Sequence, residues 1–321
     1  MKIISFKDIA DLNVQPLMCF DWAEAMIRSK KEALLPPKIS LKPYDGVFCN
    51  VMPSIIPGSD NTKWGGVKVV TRYPNRVPSL ESRILLMNAD SGEFVALMDG
   101  TWITTMRTGA VAAHSIMLLG KKDFATIGIM GLGNVSRSTL LILADKLRDR
   151  EFYVKLLRYK GQEEDFAKRF ASYKNLHFSF VDTAKEMVKG SDVVISGATY
   201  LPNDVCPDEY FDKGVLVQPI HTLGFTNCDL FFDKVFADDL GHVRHFKNFD
   251  KFKQFAEVCD VVNGNKPGRE NDDERILAYN IGVSVHDIYF AVAIYHMMQE
   301  RGILDSLNEI DMNDPTEKFW V

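Results

Sequence analysis

Residues 126–138 read TIGIMGLGNVSRS, and the order of residue types in this stretch decides the fold. FATIGIMG (124–131) forms a short apolar run of the kind that makes a buried strand. Gly131-Leu132-Gly133 interrupts it, and Asn134-Val135-Ser136 opens the segment NVSRSTLLILADKL, which reads as a helix. Strand, glycine turn and helix in immediate succession make the phosphate loop of a dinucleotide site. Gly131 permits the tight turn, and Gly133 lets backbone approach a pyrophosphate held at the helix N-terminus. Ser136 takes the third small position, where it keeps helix and strand close and offers a hydroxyl to phosphate. The other reading of the same residues is a plain glycine turn, and the flanking sequence decides between the two.

Toward the C-terminus the alternation continues. EFYVKLLRY (151–159) reads as a strand, EEDFAKRFASY (163–173) as a helix, HFSFV (177–181) as a strand and TAKEMVKG (183–190) as a short helix. SDVVISGA (191–198) and GVLVQPI (214–220) are further strands, and a last helix is expected over 283–302. Strands alternating with short helices imply right-handed βαβ units around a parallel sheet. The fold class is therefore α/β, with a Rossmann-type doubly wound parallel sheet. In such a fold the end of the second strand selects the cofactor, because an acid there holds the ribose of NAD. Here LLRYKGQ offers Arg158 and Lys160, with no acid until Glu163. Positive charge suits a 2′-phosphate, so within NAD(P) the sequence favours NADP(H); two solvated side chains are the alternative.

Toward the N-terminus the chain is strand-rich after one helix. That helix, DWAEAMIRSKKEALL (21–35), takes Asp21 as its N-cap and stops before Pro36-Pro37. Strands follow at 46–52, 64–73, 82–89 and 93–100, and Asp90-Ser91-Gly92 links the last two as a hairpin. A helix then runs over 104–119. Two basic residues stand out in this part: Lys68 interrupts the apolar strand GVKVV, and Arg107 lies in the helix at MRTGAVAAH. A lysine within a strand ordinarily faces solvent.

The whole chain of 321 residues suits a single large α/β domain or two domains of ordinary size. With 46% hydrophobic and 25% charged residues it has the make-up of a soluble globular protein. Net charge is −5 and basic residues are scattered, which argues against nucleic acid and anionic membrane as partners. No stretch approaches the roughly 20 apolar residues of a membrane span. Five cysteines, far apart and odd in number, suggest neither zinc nor a disulfide framework, so no metal is expected and a cytoplasmic location is.

The blocks WGGVKVVTRYPNRVPSL and LLMNADSGEFVALMDGTWITTMRTGAVAA, then GIMGLGN, then NKPGRENDDERILAYNIGVSVHD resemble the ornithine cyclodeaminase/μ-crystallin family. The likeness runs from about residue 36 to 302, in the same order and with similar spacing. It implies a Rossmann dinucleotide-binding domain (119–295) joined to an α+β substrate and dimerisation domain (1–118 plus 296–321), in a homodimer. It also implies hydride transfer between nicotinamide and the α-carbon of a small amino or imino acid. Carried over by position, Lys68 and Arg107 hold the substrate carboxylate, Arg107 through a bidentate fork. Ser82 falls where a hydroxyl contacts substrate. Lys38 stands where an arginine commonly grips the same carboxylate, and keeps the charge without the fork. Gly131, Gly133, Asn134, Val135 and Ser136 match the phosphate loop, Thr199 a threonine after the fourth strand, and Ile281 a position near the nicotinamide.

The largest departure from the family falls in VLVQPIHTLGF (215–225). Cyclodeaminases carry an aspartate shortly before an acidic-Leu pair. Anchoring that pair on Asp229-Leu230 puts Leu223 at the aspartate position, and no carboxylate lies between Asp212 and Asp229. His221 is the nearest titratable substitute; it is either the proton-transfer group or a core histidine bonded to a neighbour. The expectation is an imine reductase or amino-acid dehydrogenase, with Lys68 and His221 as catalytic residues. The alternatives are an ornithine-like cyclodeaminase releasing ammonia and a crystallin-like protein that binds NADP(H) without turnover.

Overall fold

The computed structural model describes residues 1–58, 61–199, 201, 203–220 and 228–312. The chain divides into two compact units. The first comprises Met1–Val14, Glu32–Thr104 and the chain from Asp287 onward; the second comprises Gln15–Lys31 and Thr105–His286. In chain order the helices are α1 (Phe6–Asp11), α2 (Pro16–Ser29), α3 (Thr101–Leu119), α4 (Asn134–Lys146), α5 (Gln162–Arg169), α6 (Ala184–Val188), α7 (Leu240–Val243), α8 (Val258–Val262) and α9 (Ser284–Glu300). The division falls inside α3 and α9, earlier in each than the expected boundaries at 118/119 and 295/296.

Among the described residues the first unit carries a six-stranded sheet: β1 (Lys2–Ile4), β2 (Ile39–Leu41), β3 (Phe48–Pro57), β4 (Lys63–Arg72), β5 (Leu80–Asn88) and β6 (Phe94–Asp99). The order is β1-β6-β5-β4-β3-β2, with β1 parallel to β6 and the other pairs antiparallel. Side chains alternate across a strand. On β4 this puts Trp64, Gly66, Lys68 and Val70 on the buried face, while Val69 is partly exposed. The ordinary expectation for a strand lysine therefore fails at Lys68. Gly66 explains how a helix comes so close: a Cβ there would lie 2.8 Å from Ile288 Cδ1 of α9 and 2.5 Å from the Leu85 carbonyl oxygen.

The second unit holds β7 (Thr126–Met130), β8 (Phe152–Leu157), β9 (Leu176–Val181), β10 (Val193–Ser196), β11 (Leu216–Pro219), β12 (Lys234–Ala237), β13 (Phe255–Glu257) and β14 (Ile276–Tyr279). Every pairing is parallel, in the order β13-β12-β14-β11-β10-β7-β8-β9. The chain winds outward from β7 in one direction through β8 and β9, and in the other through β10 and β11. The strand order thus reverses between β7 and β10, the crevice where doubly wound sheets bind ligands. One sheet face packs Val194, Val217, Val235, Leu277 and Tyr279 against Met187, Val188, Phe211 and Phe232.

The first helix differs from its expected span. α2 begins at Pro16, which occupies its first turn with a fixed φ and no amide to leave unpaired. Asp21 lies inside the helix rather than capping it. The buried stripe Cys19, Phe20, Ala23, Met26 and Ile27 gives the helical period. α2 belongs to the second unit, where Lys30 Nζ, just past its end, meets Asp239 and Glu257 at 2.7 Å each. Lys31 adds a second ammonium to Glu257 and Asp260. Glu257, Cys259 and Asp260 are close enough to share an ion, but these two lysines already meet the carboxylates.

The NKPGREND block also has a structural use. Arg269 Nε donates to the Leu119 carbonyl at 2.8 Å, Nη1 to Glu274 O at 2.7 Å, and Nη2 to Gly214 O at 3.0 Å. One side chain thereby closes the loop that leads into β14.

Candidate functional site

In the second unit the glycine loop after β7 sits at the reversal point. Gly131 has φ +75°, and a Cβ on it would lie 2.3 Å from Ala198 N, just past β10. Only glycine fits this approach of two loops. Ser136 is buried, and its hydroxyl donates to Gly131 O at 2.7 Å. The hydroxyl here closes the loop on itself, and its small size keeps α4 near Gly197. Gly133 is different. It is the N-cap of α4, offers no side-chain cap, and a Cβ there would meet no atom of the described residues within 4 Å. The first turn of α4 thus begins without a side-chain cap, and an anionic pyrophosphate fits the amides that a helix start leaves unpaired.

Other expected cofactor residues lie at the same C-terminal edge of the parallel sheet. Asn134 and Val135 open α4; Thr199 follows β10 and is exposed; Ile281 follows β14 and is buried. Arg158 and Lys160 follow β8. Arg158 pairs with Glu163 at 3.1 Å and Asp182 at 3.2 Å, and lies over the Phe180 ring. Glu163 is buried and accepts from Tyr159 N, so an acid five residues from Arg158 in sequence returns to the end of the second strand. Lys160, exposed at φ +51°, lies over the Tyr159 ring.

In the first unit Lys68 is fully buried, and its ammonium donates to Asp287 Oδ2 at 2.6 Å. Asp287 is buried in the first turn of α9. Its place was not assigned from sequence; the signal was a lone acid opening the apolar run VSVHDIYFAVAIYH. Ser82 lies on the same sheet face as Lys68, one diagonal step away, since Val70 pairs with Ser82 and Lys68 with Ile84. Its hydroxyl shares a hydrogen bond of 3.1 Å with Thr104 Oγ1 on α3. Lys38, half-buried, directly precedes β2 at the sheet edge.

Arg107 lies on α3 in the second unit, buried. His286, also buried there, has its pKa pushed down to about 3, first by burial and then by the charge of Arg107. It is neutral at physiological pH. His221 lies outside the described residues, as does Leu223.

Asp229, of the acidic-Leu pair, is buried and accepts from Asn248 Nδ2 at 2.8 Å; burial raises its pKa to about 6. The folded chain therefore binds this proton more tightly than the unfolded chain. Stability from this group is greatest below about pH 4 and falls as pH rises toward 6. Asp229→Asn keeps an acceptor for Asn248 and removes the charge. It is expected to raise unfolding stability at pH 8 by about 1–3 kcal/mol, with no gain at pH 4. Urea denaturation at the two pH values checks this, and an equal effect at both contradicts it.

The family model described as ornithine cyclodeaminase/mu-crystallin family matches residues 4–302. The N-((2S)-2-amino-2-carboxyethyl)-L-glutamate dehydrogenase of Staphylococcus aureus is 26% identical over 295 residues, covering 85% of this chain and 87% of its own. The Delta(1)-pyrroline-2-carboxylate reductase of Bacillus cereus is 27% identical over 279 residues, covering 79% of this chain and 82% of its own. Among solved structures, the Delta(1)-pyrroline-2-carboxylate reductase of Thermococcus litoralis, in complex with NADH and L-proline, superposes with a TM-score of 0.80 at 22% identity. It covers 94% of this chain and 98% of its own, so the fold is shared along nearly all of both. A family match across almost the entire sequence, on a doubly wound sheet with its glycine loop at the reversal point, shows that the chain belongs to the ornithine cyclodeaminase/mu-crystallin family.

Proposed function

We propose that the protein is an NAD(P)-dependent oxidoreductase that reduces a C=N bond beside a carboxylate, or oxidises the corresponding amine. The observation that carries the reading is the uncapped start of α4, where Gly133 leaves open space among the described residues at the reversal point of a parallel sheet. The relatives named above, which act on imino and amino acids by their names, support the same chemistry. Gly131, Gly133, Asn134, Val135, Thr199 and Ile281 would hold the dinucleotide, whose nicotinamide supplies or accepts the hydride.

Lys68 and Arg107 are assigned to the substrate carboxylate, Ser82 to a polar contact and Lys38 to a further, looser positive contact. Asp287 accepts from the buried Lys68 ammonium at 2.6 Å and so fixes the position of the charge assigned to the substrate carboxylate. In the reductive direction the α-carbon would gain the hydride that the bound nicotinamide supplies, and the nitrogen would need a proton. His221 is assigned to that proton, with Lys68 or bound water as the other donors. Arg158 already shares its charge with Glu163 and Asp182, so preference for NADP(H) over NAD falls mainly to Lys160. We also propose a homodimer: Ile39, Leu41, Tyr44, Val69, Tyr73 and Val77 leave the first unit with exposed apolar side chains of the kind a subunit interface covers. Among the described residues no helix is long and apolar enough to cross a membrane. Cys19, Cys49 and Cys259 are free thiols, which suits the reducing cytoplasm proposed for the protein.

Cyclic imine carboxylates, offered with NADPH or NADH, test the reaction. The expected outcome is cofactor oxidised in equal amount to imine reduced, with no ammonia. Ammonia release from ornithine or lysine without net change in nicotinamide absorbance would make the protein a cyclodeaminase. Tight cofactor binding with no turnover would make it a binding protein.

A further inference from the structure

We propose that Gly282 is a positioning residue for Arg107: its missing side chain lets the guanidinium lie directly on the backbone, in a turn that Asp238 fixes. The inference rests on the reading of Arg107 as a carboxylate ligand. Gly282 follows β14 and has φ +79°, a left-handed conformation natural to glycine. A Cβ on it would lie 2.5 Å from Arg107 Nη1, 3.1 Å from Nη2 and 3.2 Å from Cζ. The flat end of the arginine therefore occupies the volume that any other residue would fill. The Gly282 amide donates to Asp238 Oδ2 at 2.9 Å. Asp238, directly after β12, is buried, and its second oxygen, Oδ1, has no hydrogen-bond partner among the described residues. Burial raises its pKa. A buried carboxyl satisfied on one side is held at a cost, and here it holds the amide of the glycine beside which the arginine lies.

A fork is useful only when its plane is fixed, because displacement of a positioning group by about 1 Å can reduce rate about a hundredfold. His286, four residues beyond Gly282, stays neutral. It adds no second positive charge that would draw a substrate carboxylate away from the arginine. The sequence NIGVSVHD thus places a seat for Arg107 and a neutral neighbour within one turn of chain.

The test is Gly282→Ala in wild-type and Arg107→Lys backgrounds. The readouts are KM for a cyclic imine carboxylate, Kd for NADPH, and the side-chain nitrogen NMR signal of Arg107. Seating predicts a KM rise of about tenfold to a hundredfold, an unchanged Kd for NADPH and a displaced Arg107 signal. It also predicts little further rise when Gly282→Ala is added to Arg107→Lys, whose ammonium has no fork to displace. An equal rise in both backgrounds would mean that the left-handed backbone alone is responsible, and would overturn the proposal. Should Gly282→Ala fail to fold, Asp238→Ala removes the amide's acceptor without adding bulk. It is expected to move the Arg107 signal and raise KM several-fold; an unmoved signal overturns the proposal. An Arg107→Lys variant with wild-type KM would overturn the carboxylate reading instead, leaving the seating to be judged by the signal.

Discussion

Lys68→Met is expected to lose turnover and to lose about 3–5 kcal/mol of stability at the same time. The two losses have different causes. Lys68 and Asp287 are both buried and meet at 2.6 Å, so removing the ammonium takes the counter-ion from a carboxylate buried inside the first unit. Breaking one side of a buried pair costs that much because the remaining charge loses its counter-ion without regaining water. Replacing both by apolar residues of similar size removes both charges, and such exchanges are often neutral. Lys68→Met combined with Asp287→Leu is therefore expected to regain most of the stability while staying inactive. Urea denaturation and turnover, measured on both variants, separate fold from chemistry. A double variant that recovers activity would show that Lys68 has only a structural use. A single variant as stable as wild type would contradict the buried pair.

Gly133→Val is expected to abolish cofactor binding without disturbing the fold, and Gly131→Ala to do the reverse of the second part. Gly133 has φ −81° and ψ −174°, extended backbone that valine adopts readily, and no atom of the described residues stands within 4 Å of its Cβ position. The added methyls enter the space assigned to pyrophosphate and nothing else. Gly131 is held at φ +75° with Ala198 N at 2.3 Å from its Cβ position, so alanine there strains the backbone and forces two loops apart. The left-handed conformation alone costs about 1–2 kcal/mol. Wild type should melt higher in excess NADPH, by about 2.7 kcal/mol at a hundred times Kd. Gly133→Val should melt like wild type without cofactor and gain nothing from it. Gly131→Ala should melt lower in either condition. A Gly133→Val protein that keeps its NADPH shift would place the dinucleotide elsewhere.

The parts of this fold that were legible in the sequence are those set by local pattern. The strand, glycine turn and helix at 126–146 read directly, as did the alternation through β11, because each rests on neighbours in the chain. β12 and β14 are four-residue strands buried on both faces, and β13 has only three residues, too short for a period to show. α2 was entered five residues late because Asp21 looks like a cap, whereas Pro16 supplies the start. The site was less legible, because its pairings are long-range. Lys68 and Asp287 are 219 residues apart, and nothing at Lys68 itself announces a buried partner. At Ser136 the small residue was legible, but not that its hydroxyl closes the loop on Gly131 O. Glu163 was passed over as too late in sequence for the second strand, yet the chain turns it back to Arg158 and Tyr159 N. Gly282 carried no signal beyond being a glycine, since its use appears only when Arg107 is seen beside it.

Transfer of deuterium from nicotinamide labelled at C4 tests the proposed hydride chemistry most directly. The enzyme would be given a cyclic imine carboxylate and deuterated NAD(P)H, prepared separately with the label on each face of C4. The product amino acid would then be read by mass spectrometry and proton NMR. The account predicts that one of the two labelled cofactors places its deuterium on the α-carbon, in equal amount to the cofactor oxidised. A product without label from either cofactor, or no product while the cofactor stays bound and reduced, would contradict it.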